Sequence, residues 1–257
     1  MRMLIATSAA ALREAWSNRR SFWVQVIIMV LNDVAFVVFW FIFFAHVGSV
    51  RGWDRSSVMV LYSILAMACG LTLGIFHNCR RIAEMVVGGE LDSILALPVE
   101  PLPYLLVRRV HTALLGDMIF GPVLFLIFGH PTPERLAVFL VGSVCGAIVM
   151  VSFLVMIGSL SLFNGGKGAG TADLALNAIL IVASYPIDLF GGAVKLILFT
   201  LLPAALVAAV PAQAVNQLTL GRGLLLVGGT MLFALGAWAL FRLGLGRYRS
   251  GAQWVRA

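Results

Sequence analysis

The chain has 257 residues, of which 61% are apolar and 11% charged, with a formal net charge of +7 and a mean hydropathy of +1.02. A soluble domain carries about 25% charge, so these values exclude an ordinary cytosolic globule, a disordered chain and a disulfide scaffold, and the 26 glycines follow no collagen triplet. What remains is an all-α integral membrane protein: at about 20 apolar residues per crossing, the length allows roughly six spans and one modest loop, with no room for a soluble catalytic domain.

Residues 1–20 place Ile5, Ala9, Leu12 and Trp16 at helical spacing, with Arg2, Arg13, Arg19 and Arg20 as the basic remainder. This reads either as an interfacial amphipathic helix on the inner membrane surface or as a plain basic flank. It does not read as a cleaved signal, because Arg13, Glu14, Arg19 and Arg20 interrupt the short apolar stretch Met3–Leu12. Residues 21–257 read as a single transmembrane domain, with spans at about 21–47, 58–76, 111–128, 136–163, 171–187 and 223–241.

A seventh apolar run, 196–210, raises a question of parity. Cytoplasmic loops carry an excess of Lys and Arg. The N-terminal segment, the 77–110 loop (Arg80, Arg81, Arg108, Arg109) and the tail (Arg242, Arg247, Arg249, Arg256) are all basic. Six crossings put all three inside; seven would expel the tail. The segment 188–211 is therefore expected to enter and leave on one face as a re-entrant hairpin of two half-helices, punctuated by Pro186, Pro203 and Pro211. On this arrangement 13 of the 18 Lys and Arg lie inside, and both termini are cytoplasmic.

The 77–110 loop is the longest polar connection. Gly88 and Gly89 break the helix that continues from the second span, and Glu90 and Asp92 fall in the first turn of a new one, where the helix dipole favours carboxylates. Leu91, Ile94, Leu95 and Pro98 share one side, and Pro98, Pro101 and Pro103 stop the helix. The expected product is a stiff helix of about two turns, roughly 12 Å long, suited to receiving a push from a docked protein; the bland alternative is a solvated interfacial loop.

Inside the spans, Asp33 and Asp117 lie where a charge costs roughly 2.5–3.5 kcal/mol. Each reads either as a polar group lining a path or proton relay, or as a structural hydrogen bond, with Asn32 or Asn177 as possible partners. Gly70-x-x-x-Gly74 and Gly142-x-x-x-Gly146 would allow close helix contact. No catalytic constellation is visible. His46, His77, His111 and His130 are isolated, no H-E-x-x-H or G-x-S-x-G occurs, and Cys69, Cys79 and Cys145 are scattered, so no metal site is expected. Asn164-Gly165-Gly166-Lys167-Gly168 is not a phosphate-binding loop, having Ser161 and Gly168 where glycine and Ser/Thr belong.

The stretch Gly89-Glu90-Leu91-Asp92-Ser93-Ile94-Leu95-Ala96-Leu97-Pro98 resembles the G-x-L-D-x-x-L-x-x-P signature of a bacterial ABC-2 family of transporter permeases. Tyr185-Pro186-Ile187, Leu202-Pro203 and Val210-Pro211-Ala212 resemble its proline-marked segment before the last span, and the resemblance covers essentially the whole chain. It implies an interfacial N-terminal helix, an ATPase-coupling helix between spans 2 and 3 and two short re-entrant helices between spans 5 and 6. It also implies a separate ABC ATPase, which would carry ATP and Mg, and often a second permease chain.

On this basis the chain is expected to be the permease of an ATP-driven exporter of an apolar or amphipathic substrate in the bacterial inner membrane. It would have no cofactor of its own and would contact membrane lipids but no nucleic acid. The coupling region would span 80–98, with Arg80, Arg81, Glu84, Glu90 and Asp92 positioning the dock. The competing readings are a proton-coupled secondary transporter using Asp33 and Asp117, and a non-transporting membrane assembly or anchoring subunit.

Overall fold

A computed structural model describes residues 19–164 and 170–248. The interfacial helix expected at 1–20 therefore falls outside the described residues, except for Arg19 and Arg20, which open the first helix; Lys167 and Arg249 also lie outside. The architecture is helical. Helix α1 (Arg19–Val47) leads through a short antiparallel hairpin, β1 (Ser49–Val50) and β2 (Trp53–Asp54), into α2 (Arg55–Cys69). A π-helical segment, Gly70–Ile75, extends α2, and a 3-10 turn, His77–Arg80, follows.

Three short helices come next: α3 (Ile82–Val87), α4 (Glu90–Leu95) and α5 (Pro101–Val107). Then come α6 (Leu115–Phe128), α7 (Pro133–Ser159) with a 3-10 extension to Leu162, and α8 (Thr171–Ala183). A 3-10 turn at Ile187–Leu189, α9 (Gly192–Thr200), a π-helical turn at Ala205–Ala209 and α10 (Val210–Asn216) precede α11 (Leu220–Arg247).

Capping side chains explain why three long helices start earlier than hydropathy suggests. Asp54 accepts from Ser57 N at 2.9 Å, Thr132 from Arg135 N at 3.2 Å and Thr219 from Arg222 N at 3.3 Å. Each satisfies a backbone donor that a helix start leaves unpaired. Pro133 occupies the first helical position, where no N–H is needed.

Among the described residues, four helices are long and apolar enough to cross a bilayer: 22–47, 55–75, 133–162 and 220–247. The expected spans at 111–128 and 171–187 are shorter here, 14 residues in α6 and 13 in α8. At 1.5 Å per residue each reaches only about 20 Å. The chain before α6 is drawn into turns, with His111 N bonded to Gly74 O at 2.9 Å, and α8 ends at Ala183 shortly before Pro186. Within the region expected to form a hairpin, the helices Gly192–Thr200 and Ala205–Asn216 meet at 74°. Pro203 sits in the break between them, where a missing N–H costs nothing.

Helix α2 is the axle of the domain. Val58, Met59, Val60, Leu61, Ile64 and Ala68 are fully buried, whereas α1 buries only a stripe, Val26, Asp33, Trp40 and Phe44, and exposes most of its other apolar side chains. Glycines set the close crossings. A methyl group on Gly70 would lie 2.5 Å from Met118 N, and one on Gly121 would lie 2.5 Å from Ser63 O, so α2 and α6 touch through backbone at two points. On α7, Gly142 packs on Pro211 and Gly146 on the Val207 carbonyl. Because Pro211 has no N–H, it cannot satisfy that carbonyl in α-helical register. The four glycines singled out by their spacing thus lie at helix contacts; a methyl group on Gly74 would lie 3.1 Å from the Leu115 side chain.

Gly146→Ala is expected to destabilise the detergent-solubilised protein by about 1–3 kcal/mol, the usual cost of overpacking, because backbone cannot move aside as a side chain tip can. Gly228→Ala, with open space around it, is expected to leave thermal stability unchanged. A melting curve of the two variants checks the pair.

Candidate functional site

Three polar constructions stand out, one at each end of the helices and one in their midst. At the end formed by residues 77–111, the short helices make a compact cassette. Leu91 and Ile94 are fully buried, together with Ile82, Met85, Val86 and Leu105. Ile82 presses on Gly158 of α7, where an added methyl would lie 2.8 Å from the Ile82 Cβ. Asn78 is buried and donates through Nδ2 to Leu105 O at 2.8 Å, tying the 3-10 turn to α5. Gly89 adopts a φ of +69°, which turns the chain sharply between α3 and α4 and favours glycine.

The arginines of the coupling region are tied to named partners. Arg80 pairs with Asp173 of α8 at 3.0 Å, and Arg81 with Glu84 at 3.0 Å and Glu90 at 3.9 Å. Arg242 of α11 holds Glu100 through both carboxylate oxygens, at 2.8 and 3.1 Å. The cassette is thereby linked to α8 and α11 as well as to the helices it joins. His77 and His111 stack at 4.9 Å. Burial, with the His111 and Arg80 charges, pushes His77 down to about 4, so the arginines carry the positive charge at this end at neutral pH.

Two sequence expectations change here. The helix starting at Glu90 has six residues, about 9 Å rather than 12 Å, and its apolar side is split: Leu91 and Ile94 face inward, while Leu95 and Pro98 are exposed. Pro101 and Pro103 do not merely stop a helix. Pro101 opens α5 at the first helical position, where its fixed φ suits a helix start.

The exposed tip presents Val87, Gly88, Leu95, Ala96 and Pro98, with Glu84 beside it and Glu90 and Asp92 partly exposed. Sequence reading missed Val87, and it missed Glu100 and Asp173 as tethers. The pairs Arg80–Asp173 and Arg242–Glu100 bridge 93 and 142 positions in the chain, and local spacing carries no signal for such pairs.

Midway along α1, Asp33 comes together with Asp117, which lies in the first turn of α6. Tyr62 donates to Asp33 Oδ1 at 3.0 Å, and the two carboxyl groups are within hydrogen-bonding reach of each other. Both residues are at most 3% exposed. Among the described residues, Asp33 Oδ2 and Asp117 Oδ1 are buried and meet no donor. Neither Asn32 nor Asn177 is their partner; Tyr62 supplies the hydroxyl. The carboxyl groups line a cavity of about 350 Å³ between α1, α2, α6 and α8.

At the opposite end, Asp188 gathers three donors: Trp53 Nε1 at 2.9 Å, Lys195 Nζ at 2.7 Å and Gln213 Nε2 at 2.9 Å. Burial raises its carboxyl pKa, but the bonds from Lys195, Trp53 and Gln213 outweigh this and hold it below the usual carboxylate range. The hub joins the β-hairpin to the proline-marked segment. Of the expected hairpin residues, Pro186 precedes the Ile187–Leu189 turn, Pro203 lies in the 74° break and Pro211 opens α10. Among the described residues, no group of three or more His, Cys, Asp or Glu could hold a metal ion.

These features define a multi-pass helical membrane protein with polar constructions at both ends of its helices. The profile of the ABC-2 family transporter protein matches residues 30–252, and the chain belongs to that family. Family membership makes it the permease component of an ABC transporter, a membrane transport subunit whose association with an ABC ATPase is implied by the family. No curated protein and no solved structure matches the chain significantly.

The cassette separates two kinds of leucine. Leu91→Ala is expected to cost about 2–5 kcal/mol as a buried cavity. Leu95→Ala, at a 39% exposed position, is expected to leave the melting temperature of the purified permease within about 2 °C of wild type, given the small effects of surface substitutions.

Proposed function

We propose that this chain is the membrane subunit of an ATP-driven exporter in the bacterial inner membrane. Residues 80–98 would receive the motion of a separate ATPase, which carries ATP and Mg. The observation that carries the reading is the helix Glu90–Leu95: Leu91 and Ile94 pin it to the core, while Leu95 and its carboxylates face outward. A lever must be stiff where it joins the load and accessible where it is pushed, and this helix is both.

Closure of the ATPase on binding ATP would press on the tip formed by Val87, Leu95 and Pro98. The displacement would pass to α7 through Ile82 on Gly158, to α8 through Arg80–Asp173 and to α11 through Glu100–Arg242. Arg80 is then a tether inside the permease rather than a docking charge, and Glu84, Glu90 and Asp92 remain to meet the ATPase. A second permease chain, identical or related, would complete the path.

The six-span topology belongs to the same proposal. The helices α1, α2, α6, α7, α8 and α11 cross, and the bent segment 188–211 enters and leaves from the outer face. The hub at Asp188 braces that segment on the outer side. The break at Pro203 and the proline-free stretch of α9 before it support two half-helices better than one crossing.

Glu90→Lys combined with Asp92→Lys is expected to lower ATPase co-purification at least about tenfold, the scale of one or two interfacial charges, while the permease still elutes as a folded species. Full retention of the ATPase and of transport would refute the docking assignment. For the topology, a cysteine introduced at Arg249, in a background where Cys69, Cys79 and Cys145 are replaced by serine, is expected to resist an impermeant thiol reagent in intact cells. Labelling from outside would overturn six crossings.

A further inference from the structure

The cavity beside Asp33 and Asp117 holds two buried carboxyl groups that, among the described residues, face no basic side chain. It is lined by aromatic and aliphatic groups from four helices and from Tyr185 just past α8, among them Phe36, Leu65 and Leu180, and no Lys, Arg or His of the described residues lines it. Its ionisable acids are the carboxyl pair, with Asn32 and Ser184 as neutral polar neighbours on the lining. Ionised carboxylates are acceptors only, so Asp33 Oδ2 and Asp117 Oδ1, buried without a protein donor, can be completed only by something positive or by a proton-bearing group. Tyr62 has already spent its hydroxyl on Asp33 Oδ1, and the Ser184 hydroxyl donates to Leu180 O at 2.7 Å.

The walls narrow the class of that positive group. Phe36, Tyr62 and Tyr185 all line the cavity, and the ring of Phe36 stacks on that of Tyr62 at 5.2 Å, so the space beside the acids is bounded by aromatic side chains. Aromatic side chains attract organic cations, whereas a small hard cation takes about six or more oxygen ligands, and the described residues hold no group of three or more His, Cys, Asp or Glu for a metal ion. A volume near 350 Å³ lies at the lower end of the range for small-molecule sites, roughly 300–1,000 Å³. Ile181, on the rim, is 65% exposed, so the cavity opens sideways between α1 and α8, where an amphipathic molecule in the bilayer could enter.

We propose that this cavity binds the transported substrate and selects a lipophilic organic cation, an amine or onium group carried on an apolar body, with Asp33 and Asp117 meeting its charge. This rests on the reading of the chain as an exporter permease and adds the substrate class to it. A proton shared by the carboxyl pair fills the empty site, and the incoming cation takes its place.

The test uses the full chain in phosphatidylcholine nanodiscs, with two probes of the same shape and opposite charge, tetraphenylphosphonium and tetraphenylborate, and empty nanodiscs as the partition background. Saturable binding of the phosphonium at least tenfold tighter than of the borate is expected. In Asp33→Asn/Asp117→Asn, phosphonium affinity is expected to fall at least tenfold, while Tyr62→Phe, which keeps the ring and both acids, loses less. If the double variant does not fold, Asp117→Asn alone and the wild-type comparison of the two ions decide. Equal affinity for the two ions, absence of saturable phosphonium binding, or full retention of it by the Asn variants would each overturn the proposal and leave the pair a structural contact. No ATPase takes part in this measurement, so its failure leaves the coupling reading standing. Loss of that reading in the co-purification experiment would likewise leave a binding result intact.

Discussion

Where Gly70 of α2 meets the backbone of Asp117 and Met118, and Gly121 of α6 meets Ser63 and Met67, neither helix has room for a side chain. This double contact fixes the distance and rotation of α6 against α2, and much else follows from it. It sets Asp117 beside the axle helix, within reach of Asp33, which Tyr62 holds from the same axle. In a bilayer, apolar side chains gain little by leaving lipid for protein, so helices associate through close packing and polar contacts. The glycine crossings supply the first and the carboxyl–tyrosine cluster the second, on neighbouring turns of the same two helices.

The two ends of the helices solve a different problem, that of holding irregular backbone in place. At one end Asn78 and the buried Leu91, Ile94 and Leu105 convert a loop of about thirty residues into a solid piece. At the other, the hairpin before α2 turns through Arg51 and Gly52, both at positive φ (48° and 84°), and delivers the Trp53 indole to Asp188. A two-residue turn of this kind matches the natural twist of its strands. Both ends are therefore tied by side-chain contacts to the long helices that join them.

Much of this organisation could be read from the residues. The start of the short helix at Glu90 followed from Gly88-Gly89 and the acidic first turn, and the Pro203 break from the missing amide. The isolation of Asp33 and Asp117 in apolar runs marked them as needing partners. What could not be read was the partner, because Tyr62 lies 29 positions from Asp33 and nothing in local spacing couples them. Nor could the packed face of α1 be read. The stripe of Val26, Trp40 and Phe44 is chemically indistinguishable from the exposed Ile27, Ile28 and Phe39, since lipid and protein interior ask for the same apolar surface. Pro101 misled for another reason: proline ends a helix from within but begins one from its first position.

The order of residues along the chain gives the buried cluster a history during synthesis. Asp33 lies on α1, Tyr62 on α2, and Asp117 only on α6, the fourth helix after that. Tyr62 follows Asp33 by 29 positions and Asp117 by 84, so at roughly 5–20 residues per second α1 must remain in the bilayer for seconds with a carboxyl group that lacks its final companions. Its aromatic and aliphatic length, with so little of it committed to protein contacts, is what lets it wait there. The same acid that later anchors α1 to α2 thus makes the first helix the most precarious intermediate of assembly, and α2 the newcomer that relieves it.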